Sequence, residues 1–464
     1  MRKDGGFMKS FVSRIHFVGI GGVGMSGIAE VLNNLGYDVS GSDLKSTEIT
    51  RRLEASGVEV FEGHAAANAR GAQAVVVSSA VSPKNPELIY ARANGIPVVL
   101  RAQMLAELGR MKKTLTVAGS HGKTTTTSMA AMALKAAGAS PTIIIGGQLK
   151  NIHSNARLGL GEYLVAEADE SDGSFIYLSP LVAIVTNIDN DHLDYHKTLA
   201  RLKASFLAHL ERLPFYGAAI LCADDPGLRS IMPHVQRPVI TYGLNQGAQW
   251  QAKNLRMDRG GSKFEVWRDG RKSLSLTLKV TGRHNVLNAL GALAAGDFLG
   301  FDLRRLAAGL AEFSGVGRRM DRLGAAGGVE FVDDYGHHPT EVAATVAAIK
   351  LWKPRRLVVV FQPHRFSRTK LLAKEFGAAF KGADLVFVTD IYAAGEKPIA
   401  GVSSALIVDS IKRSGTSCAP IAHALDVAKE LREGDLVLTL GAGDVWKIGE
   451  DLLRRRRAQL TSPA

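Results

Sequence analysis

Short apolar runs rich in β-branched residues recur along the chain, with helical patterns between them. They include Ile15–Ile20, Ala74–Ser78, Leu115–Ala118, Tyr163–Ala166 and Ala183–Thr186, then Ala218–Cys222, Leu357–Phe361, Leu385–Val388 and Leu436–Leu440. Strands that alternate with helices predict parallel sheets with crossover helices, an α/β architecture. Residues 250–280 break this rhythm. Phe264-Glu265-Val266-Trp267 and Leu274-Ser275-Leu276-Thr277-Leu278 alternate apolar with polar positions, which predicts antiparallel strands appended to a central sheet. Two breaks, at Gly109-Arg110-Met111-Lys112-Lys113 and at Gly315-Val316-Gly317-Arg318-Arg319, divide the chain into pieces 1–110, 111–317 and 318–464.

Composition narrows the class. The 464 residues are 46% hydrophobic and 22% charged, an ordinary globular balance that excludes disorder and collagen-like structure. Lys+Arg at 57 against Asp+Glu at 44 gives a formal charge of +13. Such a surplus suits nucleic acid, membrane lipid or a small polyanion such as a nucleotide. The positive residues are spread out, apart from Arg454–Arg457, which read as a solvated tail. No zinc-finger spacing or aromatic–basic platform supports nucleic-acid binding. Cys222 and Cys418 stand far apart, so neither a disulfide framework nor a thiolate metal site is expected and a reducing cytoplasm is the natural setting. Met1–Ser10 lacks a long apolar core and no run of about 18 apolar residues follows. The expectation is a cytoplasmic protein with no membrane span.

The first chemical signal is Ile15-His16-Phe17-Val18-Gly19-Ile20-Gly21-Gly22-Val23-Gly24. A strand followed by Gly19, Gly21, Gly22 and Gly24 permits a tight turn and close backbone approach to phosphate at a helix N-terminus. Asp43, about twenty residues on, is placed to accept from a ribose hydroxyl. This pattern alone does not separate NAD from another diphosphate-linked nucleotide, nor from glycines that merely let strand and helix pack.

A stronger signal follows the strand Thr114–Ala118: Gly119-Ser120-His121-Gly122-Lys123-Thr124-Thr125 and then a helix. Strand, glycine turn, Lys-Thr and helix make a phosphate-binding loop. Its N–H groups cradle phosphates, Lys123 neutralises charge and a Thr hydroxyl reaches Mg²⁺. It departs from G-x-x-x-x-G-K-[ST] at Val117, where the first glycine would stand. The apolar strand Tyr163–Ala166 then runs into Glu167-Ala168-Asp169-Glu170-Ser171-Asp172, a string of hard oxygens at a strand's carboxyl end. Glu167 is the first choice as Mg²⁺ ligand, and one or two of the others are expected to face solvent. Thr186-Asn187-Ile188-Asp189-Asn190-Asp191-His192 ends the next strand, with Asp191 and His192 as candidates for a second metal site or for orienting the γ-phosphate.

This ordered set resembles the Mur ligases of bacterial cell-wall synthesis, over nearly the whole chain. Gly282-Arg283-His284-Asn285-Val286-Leu287-Asn288-Ala289 and Gly317-Arg318-Arg319 continue it. So do Asp333-Asp334-Tyr335-Gly336-His337-His338-Pro339, Phe361-Gln362-Pro363-His364-Arg365-Phe366-Ser367-Arg368-Thr369 and Gly441-Ala442-Gly443-Asp444. The resemblance implies three domains: a Rossmann-like N-terminal domain for the UDP part of UDP-N-acetylmuramate, a P-loop ATPase-like central domain for ATP and Mg²⁺, and a Rossmann-like C-terminal domain for L-alanine. It implies that Asn288, with Asn285 and His284, contacts adenine or ribose. Arg318 or Arg319 and Asp333 or Asp334 would reach the nucleotide, with Arg319 and Asp334 counted alongside Lys123, Glu167 and His192 as catalytic. Thr124, Glu167 and His192 would hold metal. His337, His338, His364, Arg365 and Arg368 would meet the lactyl carboxylate and the amino acid, although Arg365 and Arg368 also fit a solvated basic patch on one helix face. Neither Lys197 nor Lys203 is assigned the carbamoylated-lysine role found in some relatives.

The implied reaction is ATP-dependent amide formation through an acyl phosphate, with His192, His337 and His338 as candidates to deprotonate the amine. A sister ligase that attaches a preformed peptide and a folylpolyglutamate-type ligase are the competing readings. A regulatory ATPase and a dehydrogenase fit less well, the latter because it leaves the Lys123 loop unexplained.

Overall fold

The structure, a computed structural model, describes residues 6–78, 80–151 and 154–461, so the start of the Met1–Ser10 reading lies outside the described residues. It forms two compact units: Met1–Asn254 with Phe264–Leu276 and Leu287–Ser314, and Leu255–Lys263 with Thr277–Val286 and Gly315–Ala464. No described helix is long and apolar enough to cross a membrane. Cys222 and Cys418 are free thiols.

The N-terminal sheet, among the described residues, comprises β1 (Arg14–Val18), β2 (Asp38–Asp43), β3 (Glu59–Glu62), β4 (Ala74–Val77) and β5 (Val98–Leu100). Their order is β3-β2-β1-β4-β5 and every pairing is parallel. The order reverses between β1 and β4. Ligands bind outside the carboxyl ends of strands at such a switch point, and the Gly19–Gly24 turn lies there. Val18, Val75 and Val77 pack on Leu88 and Ala91 of helix Pro86–Ala93.

The central sheet runs β6 (Lys113–Ala118), β7 (Thr142–Leu149), β8 (Ser154–Arg157), β9 (Tyr163–Glu167) and β10 (Val182–Val185) in chain order. It continues with β11 (Ala218–Cys222), β12 (Val239–Gly243), β13 (Trp250–Asp258), β14 (Gly261–Arg268) and β15 (Arg271–Leu278). The spatial order is β15-β14-β13-β12-β11-β10-β6-β9-β7-β8. β9, β6 and β10 are therefore neighbours, all parallel, and their carboxyl ends open side by side. Two-residue connections join β13 to β14 and β14 to β15, too short for a parallel crossover, so these are the antiparallel hairpins that the alternation predicts. Asp269 and Gly270 both take positive φ (47° and 77°), as a type I′ hairpin turn requires.

The C-terminal sheet has β16 (Asp321–Ala326), β17 (Val329–Asp334), β18 (Arg356–Phe361), β19 (Leu385–Val388), β20 (Cys418–Pro420) and β21 (Asp435–Leu440), ordered β16-β17-β21-β18-β19-β20. Only β16 pairs antiparallel among the ladders described. Side chains alternate across the sheet with period two. Leu357, Val359 and Phe361 of β18 pack with Phe376, Phe380 and Ile411 on one face. Val358 and Val360 pack with Val437, Val445 and Leu452 on the other. The Arg454–Arg457 run lies on helix Trp446–Thr461. It is only partly the expected solvated tail: Arg454 and Arg455 pair with Asp451, while Arg456 donates to the Leu431 carbonyl in a half-buried site.

Candidate functional site

β6 ends at Ala118 and helix Lys123–Ala136 begins after four intervening residues. Gly119 takes φ +131°, and a Cβ there would lie 2.1 Å from Thr186 Oγ1. The end of β10 clamps this loop. Ser120 N donates to the Asn187 carbonyl (3.1 Å), His121 N to Asn187 Oδ1 (2.9 Å), and Thr186 Oγ1 and Asn187 Nδ2 donate to the His121 carbonyl (2.6 and 3.0 Å). Asp189 N donates to Ser120 Oγ, and Asp189 Oδ2 lies 2.9 Å from His121 Nε2. The segment Thr186–Asp189 thus fixes the loop from outside. Gly122 is the N-cap, Thr125 lies half-buried in the first helical turn, and the buried Asn288 packs its amide against Gly122. Asn285 donates instead to the Thr281 carbonyl at 2.8 Å, a bond within its own helix start.

Lys123 Nζ bonds Gly119 O (2.7 Å), Ser120 O (3.3 Å) and Glu170 Oε1 (2.8 Å). Burial alone would lower its pKa, but the carboxylates of Glu170, Asp169 and Glu167 hold the ammonium above its ordinary value. Glu170 is fully buried, whereas Asp169 and Asp172 are half-buried. Burial pushes the Glu170 carboxyl up and Lys123 pulls it back. Its Oε2 has no hydrogen-bond partner among the described residues. Thr124 Oγ1 donates to Glu167 Oε2 at 2.9 Å, and Gly146 N donates to the same oxygen at 2.8 Å. His192 has φ +55°, a strained conformation for a non-glycine residue, and its Nε2 lies 3.6 Å from Asp191 Oδ2 and 3.8 Å from Glu170 Oε1. Hard oxygens from Thr124 and Glu167, an orphaned buried Glu170 oxygen and one imidazole form a donor set that fits Mg²⁺ better than a soft metal.

The Gly19–Gly24 turn is anchored by β2. The Ser42 carbonyl accepts from Gly19 N and Ile20 N, and Asp43 Oδ2 accepts from Gly21 N at 2.8 Å. Asp43 therefore carries the turn itself. Arg101 links this turn to the acidic string: a Cβ on Gly24 would lie 2.9 Å from its Nη1, and its Nη2 is 3.6 Å from Asp169 Oδ2.

In the C-terminal unit the adjacent pairs separate by role. Arg318 (φ +58°) donates through Nε to Asp333 at 2.9 Å and through its terminal nitrogens to Gly441 O (2.6 Å) and Gly443 O (3.1 Å). It is engaged within its own sheet, as is Asp333, which accepts from Thr439 at 2.6 Å. This geometry speaks against Arg318 as a nucleotide contact. Arg319 lies 3.5 Å from Glu341 and flanks Asp334. Asp334 is buried and accepts from Met320 N, Gly336 N and Thr345 Oγ1; burial raises it to about 6 although Arg319 opposes this. Burial lowers His284 to about 4, with the nearby Arg319 charge adding to the effect.

His337 places Nδ1 3.1 Å from the Tyr335 carbonyl and its ring 5.5 Å from His364, which stacks on Tyr392. His338 is buried as the N-cap of helix Pro339–Lys350. Arg365 is the N-cap of helix Phe366–Ala379, with φ +72°, and Arg368 is buried with Nη1 3.2 Å from His364 Nδ1. The solvated-patch alternative for Arg365 and Arg368 is thereby overturned, since one lies outside the helix and the other is buried.

The sequence reading missed Glu170 as a partner of Lys123, the clamp of Thr186, Asn187 and Asp189, and Arg101. The clamp residues stood in the string already singled out, and Lys123 four residues after Gly119 could have prompted a search for a buried counter-ion.

Comparisons with known proteins agree with this layout. Three family models match in chain order: "Mur ligase family, catalytic domain" over 14–113, "Mur ligase middle domain" over 117–296 and "Mur ligase, glutamate ligase domain" over 318–443. The UDP-N-acetylmuramate--L-alanine ligase of Endomicrobium trichonymphae is 50% identical, covering 96% of this chain and 99% of that protein. The enzyme of the same name from Geobacter sp. (strain M21) is 50% identical, covering 96% and 98%. The crystal structure of UDP-N-acetylmuramate-alanine ligase MurC from Thermotoga maritima superposes with a TM-score of 0.81 at 33% identity, covering 96% of this chain and 99% of that one.

Proposed function

The chain belongs to the Mur ligase family, and from that premise we propose that it is the ATP-dependent ligase joining L-alanine to the lactyl carboxylate of UDP-N-acetylmuramate in peptidoglycan precursor synthesis. The observation that carries the reading is the convergence of the Gly119–Lys123 loop, Thr124 and Glu167 at the carboxyl ends of adjacent strands, in a chain half identical to ligases of that name. Residues 1–110 are proposed to hold the sugar nucleotide, 111–317 ATP and 318–464 the amino acid, with the cytoplasm as the setting.

A carboxylate resists an amine because its charge repels the nucleophile and oxide is no leaving group. Transfer of the γ-phosphoryl group to the lactyl carboxylate creates an acyl phosphate; amine attack then expels phosphate and forms the amide. Lys123, fixed by two loop carbonyls and Glu170, supplies a preorganised positive charge where negative charge develops. Asn187 takes the N–H groups of Ser120 and His121, so the phosphates fall to the N–H groups at the start of helix Lys123–Ala136, whose position Thr186 and Asn187 fix by holding the His121 carbonyl. Thr124, Glu167 and His192 would hold Mg²⁺, which when bound neutralises phosphate charge. Arg319 and Asp334 are proposed to reach the nucleotide, and His338, His364, Arg365 and Arg368 the carboxylate and amino acid. His337 is proposed as the group that takes the amine proton, its ring oriented by Nδ1 on the Tyr335 carbonyl.

The test is ADP release by the purified chain with UDP-N-acetylmuramate, ATP and Mg²⁺, with and without L-alanine. The reading expects alanine-dependent ADP and a product heavier by one alanyl residue; ADP without that product contradicts it.

A further inference from the structure

Glu87 stands outside all of this machinery, yet its carboxylate is completely buried. A buried carboxylate is costly to a fold, and an apolar side chain of similar volume often serves stability as well or better. What surrounds this one is unusual in its reach. Oε2 accepts from Ser42 Oγ at 2.7 Å and lies 3.3 Å from His64 Nδ1; Oε1 accepts from Asn68 Nδ2 at 2.7 Å and from Ala65 N at 3.3 Å. His16, on β1 and fully buried, places Nε2 3.9 Å away and uses Nδ1 on Ser40 at 2.9 Å. The Asn85 side chain caps the helix that carries Glu87, accepting from Glu87 N at 2.9 Å.

The donors come from separate places in the chain. Ser42 is at the end of β2, while His64, Ala65 and Asn68 lie in the segment after β3. Glu87 itself follows the segment after β4. One carboxylate thus ties the carboxyl-end connections of β2, β3 and β4 around the switch point. Ser42 is also the residue whose carbonyl accepts both Gly19 N (2.8 Å) and Ile20 N (3.0 Å), and its neighbour Asp43 accepts Gly21 N. The chain of contact runs from Glu87 through the Ser42 side chain to the Ser42 backbone and so to the glycine turn.

We infer that Glu87 is a positioning residue for the sugar-nucleotide site, holding the Gly19–Gly24 turn in its phosphate-receiving shape through Ser42. The inference rests on the proposed function. Burial opposes ionisation of Glu87, but the neighbouring His16 imidazole and the bonds from Ser42 and Asn68 keep its carboxyl below the ordinary value, so the anchor acts as a charged acceptor.

The experiment compares Glu87→Gln and Ser42→Ala with the parent chain. KM for UDP-N-acetylmuramate, KM for ATP, kcat, the dissociation constant of UDP alone and the thermal midpoint are measured. Glu87→Gln keeps the volume but removes the charge. The expected result is a rise of about tenfold in sugar-nucleotide KM and in the UDP dissociation constant, the size expected for one charge-assisted hydrogen bond. ATP KM should stay within about twofold. Ser42→Ala should shift the same two constants in the same direction, and decides the matter if the Gln variant does not fold. Unchanged sugar-nucleotide KM in a folded variant, or an equal rise in both KM values with a fallen midpoint, would overturn the inference by showing an ordinary core residue. Failure of the parent chain to ligate at all refutes the proposed function instead.

Discussion

Lys123 is held by three oxygens, two of them backbone carbonyls of its own loop, so its ammonium is placed before any phosphate arrives. Lys123→Ala should therefore lower alanine-dependent ADP release by at least about 10³-fold while leaving the fold intact by circular dichroism, because charge stabilisation preorganised in a buried site is lost outright. Gly119→Ala should be nearly as damaging for a different reason: φ +131° disfavours any side chain, and its Cβ would collide with Thr186. ATP binding, read by titration calorimetry, should fall in that variant, and normal binding would contradict the loop assignment. Glycine, lysine and threonine were legible here because phosphate loops need those residue types in that order. Glu170 was not, since a carboxylate in an acidic string carries no mark of burial; only the β9–β6 register brings it under Lys123. Arg318 and Arg319 show the same limit. Adjacent arginines read alike, and only the carbonyls of Gly441 and Gly443, more than a hundred residues away, distinguish the structural one.

Helix Leu199–Leu210 is tied to β6, directly behind the phosphate loop, by His209. Its Nε2 meets Thr116 Oγ1 at 3.2 Å, its Nδ1 meets the Phe175 carbonyl at 3.1 Å, and its ring stacks on Phe175. Burial lowers its pKa to about 4 from 6.5. The folded chain thus binds fewer protons than the unfolded one between these values, so His209 costs stability as pH falls from 6.5 to 4, by at most about 3 kcal/mol. Urea unfolding of the parent and of His209→Gln at pH 7 and pH 5 checks this. The difference between the two proteins should shrink or reverse at the lower pH, and a constant difference would contradict it. At this scale the sequence was most informative: buried parallel strands such as Ala218–Cys222 and Leu385–Val388 begin and end where the apolar runs do. Short edge strands such as Val98–Leu100 and Cys418–Pro420 escaped because three residues carry no periodicity, and their pairing depends on a neighbour distant in sequence.

Across the whole molecule, three sheets each place their loops at strand carboxyl ends, and the order of motifs along the chain matches three family models in succession. What the motifs could not announce was a pocket for a methyl side chain; that specificity comes from the relatives. A screen of L-alanine, glycine, L-serine and a tripeptide should give the largest kcat/KM for L-alanine, whereas preference for the tripeptide would assign the chain to the peptide-adding branch of the family. The central claim is that ATP activates the lactyl carboxylate before the amine arrives. It is tested most directly with UDP-N-acetylmuramate carrying ¹⁸O in that carboxylate. Mass spectrometry of the released phosphate should find one ¹⁸O for each alanyl product formed, and phosphate free of label alongside ligated product would contradict the account.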